Sequence, residues 1–136
     1  MRLATPSDVP AIMAALRDML KISPAPQMKY ADVMQAELGV RHAVHEERAV
    51  FVGDYFIMYD IGSPWYSTSK FLIEDIILRV HSIHGNKVAD AISALDELKE
   101  KHGCIAVVVG DTQIGYMAPK YIKAGYTSMG QQLLKG

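Results

Sequence analysis

The spacing of apolar residues along this chain of 136 residues changes from helical to strand-like before its middle. Between Val9 and Leu20 apolar side chains recur at helical spacing, and the segment Thr5-Pro6-Ser7-Asp8 before them favours a helix start. From Arg48 onward the pattern is typical of strands. The first half therefore predicts a strand over 1–4, a helix that begins near residue 5, a second helix over 30–44, and a hairpin of strands 49–52 and 55–59.

The second half of the chain predicts a strand–helix–strand unit. Residues 71–80 are apolar and β-branched, as in a buried strand, and residues 105–109 form a similar run. Between them, the apolar positions from Val88 to Leu98 mark one face of a helix. Two strands joined by a crossover helix are expected to be parallel. A helix over 114–124, ended by Gly125, and a last strand over 126–134 complete the predicted order.

The predicted order β-α-α-β-β-β-α-β-α-β indicates an α/β fold in one domain over residues 1–136. The hairpin is antiparallel and the strand–helix–strand unit is parallel, so the sheet is predicted to be mixed, with helices on both faces.

Charge and composition narrow the functional classes. The formal net charge is −1, which gives no electrostatic case for binding nucleic acid. No run approaches the ~18 apolar residues that span a bilayer, and the N-terminus lacks the layout of a signal peptide. The single cysteine, Cys104, adjoins an apolar run and is expected to be buried. We therefore expect a cytoplasmic protein without a membrane or nucleic-acid partner.

Two neighbouring acids, Glu74 and Asp75, interrupt the apolar run of 71–80. Adjacent residues on a strand point to opposite faces, so these two are not expected to form a paired-carboxylate site. One of them could serve as a general base with a pKa raised by burial, and the alternative is a structural role for both. The histidines lack the spacing of a metal site, and we expect no metal; they are His42, His45, His81, His84 and His102.

The loop after residues 71–80 has the composition of a phosphate-binding turn. A strand that ends in a polar loop and opens a helix presents unpaired backbone N–H groups, which suit an anion. Gly85 adds backbone freedom to this loop, and Lys87 adds a positive charge. The sequence therefore favours a nucleotide-type cofactor at this point.

Three local patterns, in this order, resemble the GNAT superfamily of N-acetyltransferases. The segment Arg2-Leu3-Ala4-Thr5 with Asp8 is similar to the family's first strand and helix start. Residues 73–81, IEDIILRVH, are similar to its fourth strand, and residues 121–126, YIKAGY, are similar to its C-terminal Tyr-x-Lys-x-Gly-Phe. A further segment, PWYST at 64–68, resembles phage-encoded members of the superfamily.

The resemblance implies that acetyl-CoA lies between the fourth and fifth strands, here 71–80 and 105–109. It places Leu78, Arg79 and Val80 beside the pantetheine arm. It assigns the diphosphate to the loop formed by His84, Gly85, Asn86, Lys87, Val88 and Ala89. This loop departs from the family pattern Gln/Arg-x-x-Gly-x-Gly/Ala, because His84 replaces the first residue and Lys87 the first glycine. Arg79 is expected to reach a cofactor phosphate or to pair with Asp75.

The resemblance also implies the catalytic groups. Tyr121 matches the family tyrosine that protonates the leaving thiolate, with a packing role as the alternative, and Glu74 matches the commoner acidic residue of the fourth strand. The expected function is transfer of acetyl from acetyl-CoA to a primary amine of a small molecule or protein. The alternative is a catalytically degenerate GNAT-like binding or structural protein, which the altered loop favours. A homodimer is a further expectation, since many related domains pair through their C-terminal strands.

Overall fold

The sheet has five strands in the order β1-β2-β3-β4-β5 in the computed structural model, which describes residues 1–110 and 117–136. The pairs β1–β2, β2–β3 and β3–β4 are antiparallel, and the pair β4–β5 is parallel. The predicted mixed sheet is therefore confirmed. The strands are β1 Arg2–Leu3, β2 Ala49–Val52, β3 Tyr55–Gly62, β4 Phe71–Arg79 and β5 Ala106–Val108. The helices are α1 Val9–Ile22, α2 Val33–His45, α3 Val88–Lys101 and α4 Ala118–Lys123.

The helix starts follow from local hydrogen bonds. Before α1, the Asp8 carboxylate accepts the backbone N–H of Thr5 at 2.8 Å and receives both terminal nitrogens of Arg2 at 2.8 and 2.9 Å. Helix α2 begins at Val33, three residues later than predicted, because the Asp32 carboxylate accepts the first N–H groups of that helix. Residues Pro26–Tyr30 form a short 3-10 helix instead.

The helices cover both faces of the sheet, as predicted. Helices α1 and α2 bury one face, where Ile12 and Met13 pack near Phe51 and Phe56. Helix α3 and the residues around α4 bury the other face, where Leu95 and Tyr121 belong to the same apolar cluster. Each helix places its apolar side on the sheet, which is the arrangement that the helical spacing predicts.

A β-bulge interrupts the pairing of β3 with β4. Met58 pairs with Ile76 and the next residue, Tyr59, pairs with Glu74, so Asp75 is the extra residue on β4. The bulge changes which face of the sheet the side chains of β4 point to. Leu72, before the bulge, packs in the core under α3, whereas Leu78, after it, packs in the core under α1 and α2. Regular alternation would have put both leucines on one face.

The predicted last strand is wrong. Residues 126–136 contain no strand, and nearly all of them are exposed. Their apolar residues do not alternate with polar ones, so neither face of a strand could be buried consistently. Helix α4 is seen from Ala118, and residues 114–116 of the predicted helix lie outside the described residues. Within the described residues, no helix is long and apolar enough to cross a membrane.

Candidate active site

The ladder between β4 and β5 ends after three residue pairs. Phe71, Leu72 and Ile73 are the only β4 residues that pair with β5 in the described part of the chain. Of the remaining residues of β4, Glu74 and the residues from Ile76 to Arg79 pair with β3 and not with β5 in the described part of the chain. The two strands therefore part after Ile73, and an extended ligand can enter between them.

A small cavity lies at the point where the two strands part. Its volume is about 50 Å³, and its lining comprises Glu74, Asp75, Ile76, Ile77, Gly110, Met117 and Tyr121. Tyr121 reaches it from α4, where its side chain is buried and its ring packs edge-to-face on Tyr126 at 5.3 Å between centroids. The fold thus brings together Glu74 and Tyr121, the two catalytic residues that the sequence predicted.

Glu74 spans the opening between β4 and β5. One oxygen of its carboxylate accepts the backbone N–H of Gly110 at 3.3 Å, which ties β4 to the residue that follows the β5 run. The contact places the carboxylate on the α3 side of the sheet, where its cross-strand partner Tyr59 is buried. Glu74 therefore has a structural task at the opening, whatever its part in catalysis.

Tyr126 places a second phenol beside the cavity. Its hydroxyl is buried and has no hydrogen-bond partner in the described residues. Burial, followed by the charges of Asp96 and Glu74, raises the pKa of Tyr126 to about 12. The phenol is therefore protonated at neutral pH and able to donate a hydrogen bond.

Asp75 faces Asp60 on the sheet face opposite to that of Glu74. Partial burial, then a hydrogen bond to Asp60 and its charge, raises the pKa of Asp75 to about 7, although the residue is exposed to solvent. Arg48 opposes this shift, and its guanidinium contacts Asp60 at 2.7 Å. As predicted, Glu74 and Asp75 do not form a pair, but Asp75 forms one with a residue of β3.

The three residues expected beside the pantetheine arm lie at the end of β4. The Leu78 side chain is buried in the α1–α2 core, so only its backbone faces the open edge. Arg79 lies over the ring of Tyr55 at 5.9 Å and donates to the carbonyl of His81 at 3.3 Å, so the predicted pairing with Asp75 is wrong. Val80 follows the strand, and its N–H donates to the Asp54 carbonyl at 2.9 Å.

The predicted diphosphate loop already holds an anion, the side chain of Asp54. This residue lies in the β2–β3 turn and is fully buried. Its carboxylate accepts the N–H groups of Ile83, His84 and Gly85, each at 3.1 Å. Burial raises the pKa of Asp54, but these backbone hydrogen bonds outweigh burial, and the pKa lies below its ordinary value. The expected diphosphate contacts of His84 and Gly85 therefore do not fit the structure.

The other residues of the predicted diphosphate loop differ in what their polar groups contact. The Asn86 side chain accepts the N–H of Asp54 at 3.0 Å, and the N–H of Lys87 donates to the Asp90 carboxylate at 3.0 Å. Val88 and Ala89 form the first turn of α3, where backbone N–H groups have no helical partner. Only this last part of the predicted loop keeps N–H groups suited to an anion, and its role stays a prediction.

Sequence reasoning missed Asp54, Asp60 and Arg48. Asp54 was placed in a hairpin turn, where aspartate is common for local reasons. Its carboxylate binds residues about thirty positions further along the chain, and no local spacing reports such a contact. Asp60 reaches Asp75 across the β3–β4 bulge, for which the sequence carries no signal.

No protein-family model and no curated protein matches this chain. Solved structures do match its fold. A possible acetyltransferase from Clostridium difficile 630 has a TM-score of 0.71 at 14% identity, with 99% of this chain and 94% of that chain covered. An integron cassette protein from the mobile metagenome of Cole Harbour Salt Marsh gives 0.70 at 15% identity, with 99% and 88% covered. A predicted acetyltransferase from Clostridium acetobutylicum, solved with acetyl-CoA, gives 0.64 at 13% identity, with 98% and 92% covered. The chain shares the fold of these structures, which is the GNAT-like α/β fold that the sequence predicted.

Proposed function

We propose that this chain transfers acetyl from acetyl-CoA to a primary amine of a small molecule or protein, at the opening between β4 and β5. One observation carries the proposal: among the described residues the β4–β5 ladder stops at Ile73, directly beside a cavity lined by Tyr121, Glu74 and Asp75. The acetyltransferases among the matching structures support the reaction class.

The open edge of β4 suits the pantetheine arm, since an extended chain with amide groups can pair with an unused strand edge. A bound acetyl thioester supplies an electrophilic carbonyl carbon. A backbone N–H group that β4 directs into the opening can stabilise negative charge on the carbonyl oxygen. Tyr121 lines the same cavity, and a phenol there can donate a proton to a leaving thiolate.

Asp75 fits the role of general base better than Glu74. A base works best when its pKa lies near the operating pH, and the pKa of Asp75 is raised to about 7. Its side chain pairs with Asp60 on the sheet face opposite to that of Glu74, so an amine can approach it from that face. Glu74 is the alternative base, but its carboxylate is engaged by the N–H of Gly110. We therefore assign Glu74 to positioning.

A panel of primary amines and peptides with acetyl-CoA, followed by mass spectrometry, tests the function. We expect an acetylated product with wild-type protein and a loss of about 100-fold in kcat for Tyr121→Phe and for Asp75→Asn. Tyr66→Phe and Asp18→Asn are matched controls, since both residues are exposed and outside the cavity, and they should keep full activity. Full activity of both cavity variants would contradict the assignment.

The second candidate function is binding without turnover. The occupation of the loop by Asp54 favours it, because acetyl-CoA then loses contacts that a transferase of this fold would use for its diphosphate. Under this alternative the folded protein gives no acetylated product with any amine, whether or not it binds the thioester. The same panel, combined with calorimetric titration of CoA, separates the two functions.

A further inference from the structure

We propose that Asp54 determines donor specificity: its carboxylate occupies the N–H groups of residues 83–85 in the loop between β4 and α3, so the donor is held chiefly by its pantetheine arm and only weakly by its diphosphate. This inference rests on the function proposed above and names the part of the donor that the site recognises. It follows from three features of the loop, namely its hydrogen bonds, its connection to the β2–β3 turn, and its charge.

The hydrogen bonds of the loop converge on one carboxylate. Successive backbone N–H groups that point to a common centre form a cradle for an anion. Here the N–H groups of Ile83, His84 and Gly85 make four contacts with the two oxygens of Asp54, each at 3.1 Å. Asp54 is fully buried, so the cradle has no room for a second anion beside it.

The backbone of Asp54 is held as firmly as its side chain. Its carbonyl accepts the N–H groups of Val80 and His81 at 2.9 and 3.2 Å, and its own N–H donates to Asn86 at 3.0 Å. The preceding residue, Gly53, has a φ of +56°, and a Cβ there would overlap the side-chain amide of Asn86. Moving the carboxylate out of the cradle would therefore break contacts on both sides of the turn.

The charges around the loop do not favour a polyanion. Asp54 and Asp90 both direct carboxylates at backbone N–H groups of the loop, where Arg79, His84 and Lys87 supply the basic side chains. The two carboxylates offset part of this positive potential, whereas a site that attracts a diphosphate concentrates it. The open edge of β4 has no such conflict, because an uncharged pantetheine arm binds there through amide groups.

Calorimetric titration of the wild-type protein tests the inference with three ligands: pantetheine, CoA, and adenosine 3′-phosphate 5′-diphosphate as the nucleotide part alone. We expect the Kd values of pantetheine and CoA to agree within about threefold, and no binding of the nucleotide at about 1 mM. A Kd for CoA that is lower than that of pantetheine by about 30-fold or more would overturn the inference and leave the proposed function intact. If neither pantetheine nor CoA binds, the inference and the proposed function both fail.

The variant Asp54→Ala gives the converse test, since it frees three N–H groups for a ligand phosphate. CoA should then bind at least about tenfold more tightly than pantetheine. Asp32→Ala is the matched control, because it also removes a carboxylate that accepts two backbone N–H groups, but at the start of α2. Circular dichroism of each variant establishes folding. If Asp54→Ala does not fold, the wild-type comparison still decides.

Discussion

The carboxylate of Glu74 accepts the backbone N–H of Gly110 at 3.3 Å, across the opening between β4 and β5. This contact joins the two strands at the level where their ladder has already ended. It lies in the cavity that also contains Tyr121. In the described part of the chain, the opening is thus bounded by the β4–β5 pairing on one side and by this side-chain contact on the other.

The Glu74 contact predicts different results for two substitutions. Glu74→Gln keeps an oxygen that can accept the N–H of Gly110, so kcat/KM should stay within about threefold of wild type. Glu74→Ala loses the contact, and kcat should fall by about tenfold through misplacement of the reacting groups. Steady-state kinetics of both variants provide the check. A loss of about 100-fold in Glu74→Gln would show instead that Glu74 is the proton acceptor.

The Asp60–Asp75 pair predicts a pH-dependent stability. The pKa of Asp75 is raised from 3.8 to about 7, so the folded state binds this proton more tightly than the unfolded chain. The stabilisation of the fold by this bound proton is therefore present at low pH and is lost as pH rises through about 7. Because solvent screens an exposed group, we expect Asp75→Asn to raise the free energy of unfolding at pH 8 by only about 1 kcal/mol.

Urea denaturation of Asp75→Asn and wild type at pH 4 and pH 8 measures this effect. The two proteins should be nearly equal at pH 4, where the carboxyl of Asp75 is protonated in the fold. Asp18→Asn, an exposed position on α1, should match wild type at both pH values. An equal gain at both pH values would refute the link to ionisation.

Asp8 predicts a pH dependence of stability opposite to that of Asp75. Its hydrogen bond with Arg2, helped by the N–H of Thr5, lowers the pKa of Asp8 from 3.8 to about 2 against the effect of burial. The stabilisation of the fold by the ionised Asp8 carboxylate is therefore complete above pH 3.8 and is lost as pH falls through about 2. We expect Asp8→Ala to lose about 1 kcal/mol of unfolding free energy at pH 7 and less near pH 2, as followed by thermal melts. A difference independent of pH would argue against this account.

Gly53 predicts a strong requirement for glycine. Its φ is +56°, and a Cβ would overlap the side chain of Asn86, so Gly53→Ala should destabilise the fold by about 2 kcal/mol or more. Gly39 is the matched control. It lies within α2 with nothing near its missing Cβ, so Gly39→Ala should stabilise by about 0.5–1 kcal/mol. Chemical denaturation measures the free energy of unfolding of the two variants. An equal change in both would contradict the close packing of Gly53 against Asn86.

Much of the fold could be predicted from the sequence, because apolar periodicity reports local elements. The hairpin around Gly53, the strand from Phe71 and the helix from Val88 all occur where the pattern placed them. The last strand failed because residues 126–134 contain apolar side chains without a strand period. The bulge at Asp75 had no signal, since it depends on the register between two strands.

The candidate site was only partly predictable. Glu74 and Tyr121 were found through short motifs, and the fold does bring both into one cavity. The loop around Gly85 was predicted to bind the cofactor diphosphate, but its converging N–H groups bind the carboxylate of Asp54. Its occupant was missed, because Asp54 reaches the cradle from a distant turn. Contacts of this kind depend on tertiary packing and leave no spacing in the sequence.

A crystal structure of the protein with CoA shows where the donor binds. We expect the pantetheine arm to lie along β4 from Glu74 towards Arg79, within the opening, while Asp54 stays in its cradle. An arm bound elsewhere, or an opening closed by a continuous ladder of β4 with another strand, would contradict this expectation.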